Sequence, residues 1–190
     1  MSNAMKTYGF DELFYPLEKG TSKLTEQQIY KSLIMDGELV PIWGGNQEHE
    51  SVTSYVNVNA RNKDDAAIRI FEGDCLIVSL DGSAGSMTFK PKGSKFALNH
   101  HAGVLKLKDP KILDLRYFKY KFENKLRSLA VSDGSKTLSK RQLEVQTFDL
   151  PGLSVQLKIL ERYEQLANLQ KKLNQTKSEL DALLSKEVVA

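Results

Sequence analysis

A single cysteine among 190 residues leaves no second thiol for an intrachain disulfide and too few ligands for a cysteine-based zinc site. That residue, Cys75, lies in the apolar run Cys75-Leu76-Ile77-Val78 and reads as a small buried core residue. No apolar run approaches the roughly 18 residues of a membrane span. No basic segment followed by an apolar stretch opens the chain, so a cytoplasmic protein is expected. Histidine occurs only at His49, His100 and His101. The last two are read as neighbours on a strand, pointing to opposite faces, which gives no metal-ligand spacing. Gly-Lys-Ser/Thr and Gly-x-Ser-x-Gly are both absent, which argues against a nucleotide-binding loop and a nucleophile elbow. Catalytic residues, metal and cofactors of the chain's own are therefore not expected. Ser2-Asn3-Ala4 ahead of Met5 has the look of an expression-tag remnant, and residues 1–4 are set aside.

What is present is unevenly distributed. The net charge of +3 combines an acidic half with a basic segment: residues 5–89 carry 7 Lys and Arg against 13 Asp and Glu, and residues 90–141 carry 14 against 4. Such asymmetry suits a polyanion partner, although a solvated helix face beside basic loops would look the same. Lys90, Lys92, Lys95, Lys136 and Lys140 are the candidate phosphate contacts.

The chain reads as an α+β protein. Residues 5–24 look irregular. Thr25-Glu26-Gln27-Gln28 has capping-box form and opens a short helix. Glu38 to Trp43 reads as a strand that Pro41 would place near a sheet edge. Short apolar segments follow: the strand formers Val52, Tyr55, Val56 and Val58, then Ala67 to Phe71, Cys75 to Leu80, Met87 to Phe89, Lys95 to Leu98 and Gly103 to Leu107. With their glycine-rich punctuation they predict a compact, mainly antiparallel β unit. Asp109-Pro110 is expected to start a helix in which Ile112, Leu115, Phe118, Phe122, Leu126 and Leu129 recur at helical spacing. A loop over 132–136, a capping box at Ser139 to Gln142 and a strand over Val145 to Leu150 complete the domain.

Two loops carry candidate chemistry. Trp43-Gly44-Gly45-Asn46-Gln47 ends a strand, and its amides suit base edges, since Asn and Gln pair bidentately with adenine. An ordinary loop is the plainer reading. Asp81-Gly82-Ser83-Ala84-Gly85 is a hairpin turn on its Asp-Gly pair, or a loop in which Gly82 and Ser83 let backbone N–H groups approach phosphate.

Pro151-Gly152 marks the expected boundary between a domain over 5–150 and a helix over 151–190. From Ser154 to Glu187 there is neither glycine nor proline, enough for a helix of roughly 50 Å. Ile159, Leu166, Leu173 and Leu180 stand seven apart, and Leu169, Thr176 and Leu183 follow three behind. This is a coiled-coil seam with Arg162 as the misfit, and it calls for a partner helix.

In this order the segments resemble the specificity subunits of type I restriction-modification systems, from about Phe14 to about Leu184. The likeness is carried by Tyr15-Pro16-Leu17-Glu18-Lys19-Gly20, Val40-Pro41-Ile42-Trp43-Gly44-Gly45-Asn46, the stretch from Glu72 to Gly85, Leu138 to Leu143, and Leu150-Pro151-Gly152-Leu153-Ser154-Val155-Gln156. The family usually has a second proline where Gly152 stands and a glutamate where Val155 stands. The resemblance implies sequence-specific binding of double-stranded DNA without catalysis. It also implies methyltransferase and restriction subunits as partners, with ATP, Mg²⁺ and S-adenosylmethionine held by those subunits. No Asn-Pro-Pro-Tyr or Asp-Pro-Pro-Tyr is present, so a methyltransferase core is not expected here. Such subunits carry two recognition domains and two helices, so one of each suggests a half-length subunit or a fragment, with a homodimer through the helix in the first case. The competing readings are a β-rich protein-interaction module dimerised by its helix and a hydrolase with a nonstandard site.

Overall fold

The computed structural model describes residues 5–45, 54–133 and 135–187, with the side chains of 132, 133, 135 and 181–187 excepted. The chain runs β1 (Lys6–Gly9), α1 (Phe10–Leu13), β2 (Glu18–Lys19), α2 (Glu26–Ser32), β3 (Leu39–Trp43), β4 (Tyr55–Asn57), β5 (Ile70–Glu72), β6 (Cys75–Ser79) and β7 (Met87–Lys90). It continues with β8 (Lys95–Leu98), β9 (Ala102–Leu105), α3 (Leu115–Leu129), β10 (Val131–Asp133), β11 (Ser135–Thr137), α4 (Lys140–Glu144), β12 (Thr147–Leu150) and α5 (Leu153–Glu187).

Two four-stranded sheets, ordered β2-β9-β6-β7 and β4-β3-β8-β5, face each other. Alternation along a strand decides which side each residue lines. Cys75 and Ile77 of β6 and Val104 of β9 meet Trp43, Phe71, Phe96 and Leu98 of the other sheet. Leu76, Val78 and Leu105 point the other way, onto Phe118, Phe122 and Leu126 of α3. Because both of its faces are covered, β6 is an unbroken apolar run and all five residues are buried. On the outer side of the second sheet Val40, Ile42, Val56 and Ala97 pack with Ile29 of α2. As expected, α2 begins with a capping box, the Thr25 N–H donating to Gln28 Oε1 at 2.9 Å.

The structure departs from the sequence reading at five places. Residues 5–24 are not irregular: β1 pairs antiparallel with β12, Lys6 opposite Leu150, and β2 joins β9. The third helix starts at Leu115, capped by Asp114, whose side chain accepts from the Arg116 N–H. Asp109 instead caps a single turn, accepting from the Lys111 N–H at 2.8 Å, because Asp-Pro suits a turn as well as a helix start. β3 is an inner strand. Pro41 fits there because β8 pairs with β3 only from Ile42 onward, so no ladder bond is asked of the missing N–H. The expected loop over 132–136 forms the hairpin β10–β11. His100 and His101 lie in the turn between β8 and β9 with ring centroids 3.8 Å apart, not on opposite faces of a strand.

α5 is a single helix of 35 residues, about 52 Å long at 1.5 Å per residue. Its first two turns belong to the domain's core through Gln156 and Leu160, both buried. The side chain of Gln156 donates to the carbonyls of Ile112 and Pro151 and accepts from the Asp114 N–H, at 2.9, 2.9 and 3.0 Å. One side chain thus ties the cap of α3 to the root of α5. Arg116 adds an ion pair to Glu164 at 3.6 Å, and the rings of Tyr120 and Tyr163 meet at a tilt of 31°.

Candidate nucleic-acid interface

At the end of the sandwich where β3 and β6 finish, four segments distant in sequence come together. The Ser83 N–H donates to the Gly45 carbonyl at 3.1 Å, and the Gly82 N–H to the Lys136 carbonyl at 2.9 Å. Asp81 bridges to Thr137, and the Leu80 N–H donates to the His101 carbonyl at 2.8 Å. The glycines permit this crowding. A Cβ on Gly45 would stand 2.4 Å from the Asp81 carbonyl oxygen, and one on Gly44 would stand 2.6 Å from the Asn99 amide. Gly82 and Gly85 take φ of +69° and +86°, where side chains are strained. The 81–85 segment is thus a tight turn, and its backbone is also the joint between loops.

Of the candidate residues, Gly44, Gly45, Gly82, Ser83 and Lys136 lie together at this end, and Lys140 follows in α4. Lys140 pairs with Glu144 at 3.4 Å. Asn46 and Gln47, with His49 and the expected strand residue Val52, lie outside the described residues. The ring of Trp43 is buried against Phe96, so it forms the floor and not a contact face. Lys90 Nζ sits 3.6 Å over that ring. Lys92 and Lys95 are elsewhere. β6 runs from Cys75, opposite Lys90, to Ser79, so the β7–β8 turn is at the far end of the sheets from Gly82. There Lys95 pairs with Glu38 at 3.0 Å, a hydrogen bond that raises its pKa. Five lysines grouped by sequence therefore occupy two ends of the domain.

Two side chains not singled out as DNA contacts do lie at the loop end. His101 Nδ1 is 2.7 Å from Asp81 Oδ2, and the His101 N–H donates to Asn99 Oδ1 at 3.0 Å. Burial and then the neighbouring His101 pull the His100 imidazole below its ordinary value. Gly44, Gly45, Asn99, His101, Trp43 and Glu26 help line a cleft of about 280 Å³ beside them. An Asn-His-His turn after a strand is the sequence signal that could have located this pair, through the Asn side chain closing the turn. Among the described residues, no three His, Cys, Asp or Glu side chains group as a metal site. None of the described helices is long and apolar enough to cross a membrane.

The second candidate surface is the helix. Leu166, Leu169, Leu173 and Leu180 are between 48% and 61% exposed, a stripe of leucine left open among the described residues. Thr176 is also exposed. Ile159 is different: it is partly buried against the domain's core. Leu183 lies in the helix, but its side chain is outside the described set. At the helix root, burial alone would raise the Asp114 carboxyl, but hydrogen bonds from Arg116 outweigh it and the shift is downward.

The family model described as type I restriction modification DNA specificity domain matches residues 17–181. The S subunit of a type I restriction-modification system from M. genitalium matches with a TM-score of 0.60 at 18% identity, over 90% of this chain and 42% of that one. A chain from a structure addressing complex assembly and conformational transition of the type I R-M system matches with a TM-score of 0.70 at 15% identity, over 98% and 44%. The HsdS subunit from Thermoanaerobacter tengcongensis matches with a TM-score of 0.59 at 12% identity, over 89% and 39%. At these identities the solved structures establish a shared α+β fold, and the chain spans less than half the length of each. Among curated proteins no sequence matches.

Proposed function

The chain belongs to the family of type I restriction-modification DNA specificity domains, and on that premise we propose that it recognises double-stranded DNA by sequence, directing methyltransferase and restriction subunits to one half of a bipartite site. In this reading residues 5–150 are the target-recognition domain and 151–190 the spacer and dimerisation helix. The chain is non-catalytic and cytoplasmic, and the chemistry and its cofactors belong to the partner subunits.

The observation that carries the reading is the convergence of Gly44-Gly45, Gly82-Ser83 and Lys136 on one end of the sandwich. Small residues let the backbone reach the duplex, and Asn46 and Gln47 continue directly from the Gly44-Gly45 turn as the base-edge amides. Phosphate contacts position while base contacts specify. The positioning cations are Lys136 and Lys140 at the loop end, and not Lys92 and Lys95 at the other.

Duplex binding over a salt series tests this. Each lost phosphate contact should reduce the log–log salt slope by about 0.9. Replacing Lys136 and Lys140 by alanine should shrink the slope, and replacing Lys92 and Lys95 should leave it unchanged. The reverse pattern would relocate the interface. Absence of salt-dependent duplex binding would favour a protein-interaction module instead.

The exposed leucine stripe supports the second half of the proposal. A helix of this length in water takes most of its stability from a partner. A second copy, antiparallel, would cover the stripe and supply the other recognition domain.

A further inference from the structure

The pair His101–Asp81 is not needed to hold the loops together. Backbone bonds from Leu80 to His101 and from Gly82 to Lys136, with the Asn99 side chain closing the turn, already do that. Its side chains are nevertheless 44% and 35% exposed at the meeting point of the glycine loops. Among the described residues Asp81 is the only hydrogen-bond partner of the ring, at Nδ1.

A carboxylate at a ring nitrogen fixes the tautomer, because an ionised carboxyl can only accept. Asp81 therefore accepts a hydrogen bond from Nδ1–H, and Nε2 of the neutral ring is left as an acceptor. The same carboxylate makes the pair a poor phosphate contact, since it adds negative charge where the polyanion would arrive. A base edge carries no such charge. In the major groove the hydrogen-bond donors are the N6 amine of adenine and the N4 amine of cytosine.

We propose that His101 is a base-reading residue: with Asp81 holding Nδ1–H, its Nε2 accepts a hydrogen bond from the exocyclic amine of an adenine or a cytosine. This rests on the DNA-binding reading above and adds to it a residue and a polarity. Asp81 acts as a positioning residue, fixing the ring and its tautomer without touching the base.

The test is selection from a randomised duplex library by the full chain and by His101→Ala and His101→Gln. The parent should select a motif with one position restricted to adenine or cytosine. His101→Ala should keep the rest of the motif and lose that preference, by about tenfold or more, the range of a good base contact. His101→Gln should retain part of it, because its side-chain carbonyl is also an acceptor. Identical motifs from parent and His101→Ala would overturn the inference while leaving the DNA reading intact. A parent that selects no motif would remove the DNA reading, and this inference with it. An independent check uses the unaltered protein: ¹⁵N NMR of the His101 ring should find the proton on Nδ1, and a proton on Nε2 alone would overturn the inference whatever the variants do.

Discussion

Replacing Gln156 by leucine removes three hydrogen bonds at nearly constant volume. The Pro151 carbonyl is at a buried site, and leaving such a group unpaired costs about 1–3 kcal/mol. The Ile112 carbonyl and the Asp114 N–H are only partly buried, so water can take over in part, at about 0.5–1.5 kcal/mol each. The leucine recovers some of this by burying apolar surface. A net loss of about 2–4 kcal/mol follows, a large share of the roughly 5–15 kcal/mol by which domains are stable. The assay is urea unfolding at fixed protein concentration, since pairing of α5 would make stability concentration-dependent. The buried Trp43 provides the fluorescence signal. Gln165→Leu, on the exposed side of the same helix, is the control and should stay within about 0.5 kcal/mol of the parent. If Gln156→Leu did the same, the three bonds would not hold the helix to the domain, and its direction would have to be set by packing at Leu160 and the tyrosine pair.

Two further outcomes follow from backbone and burial. Gly85 and Gly93 have φ of +86° and +84°, but a Cβ on Gly85 would stand 2.5 Å from the Arg127 backbone nitrogen and one on Gly93 would meet nothing within 4 Å. Gly93→Ala should therefore cost only the left-handed penalty of about 1–2 kcal/mol, and Gly85→Ala clearly more. Equal melting temperatures for the two variants would refute the close approach of α3 to the turn. Burial pushes the Cys75 thiol up to about 12, so a thiol reagent at pH 8 should react only after denaturant is added. Rapid reaction of the native protein would refute its burial between the sheets. Because the folded state holds that proton more tightly, Cys75 contributes stability that declines as pH rises above the ordinary thiol range towards 12.

The legible parts of the fold were those with local causes. The Thr25 and Ser139 capping boxes, the apolar run of β6 and the uninterrupted α5 each declare themselves within a few residues. β1 could not be read this way. Lys6 to Gly9 is a strand because β12 lies beside it, and that partner is some 140 residues away. Asp109-Pro110 and Asp114 are both competent caps, and only the packing of Leu115 and Phe118 on the sheet decides between them. The charge balance of residues 90–141 described a real excess of lysine but not its placement. Counting along the chain merges Lys92 and Lys95 with Lys136 and Lys140, and antiparallel strands then carry them to opposite ends. The glycine loops were visible as loops. That they touch each other, with His101 and Asp81 between them, is a property of sheet order that no local pattern encodes.

The direction of the proposed helix pair can be argued from Arg162. In a parallel pair each seam residue meets its own copy, so Arg162 would face Arg162 and Thr176 would face Thr176, setting two like charges in an apolar seam. Reversing one helix brings the first apolar position of each heptad against the second. Centred on residue 171, this sets Leu169 against Leu173, Leu166 against Thr176 and Arg162 against Leu180, where the arginine's aliphatic stem can lie along the leucine. Lys172 then meets its symmetry mate, but on the solvent flank, where water screens like charges better than in the seam. The antiparallel pair is therefore the better one, and it makes a specific prediction. Chains carrying Leu169→Cys, mixed with chains carrying Leu173→Cys and oxidised, should give the mixed disulfide, because bridging needs Cα atoms about 4.4–6.8 Å apart. Cys75, buried in the domain, does not compete. By the same symmetry Leu173→Asp places an unpaired charge against Leu169 twice in each dimer, so it should dissociate the pair in sedimentation. Same-residue disulfides in preference to the mixed one would mean that the helices run parallel. A Leu173→Asp protein as dimeric as its parent would mean that this seam does not form the dimer.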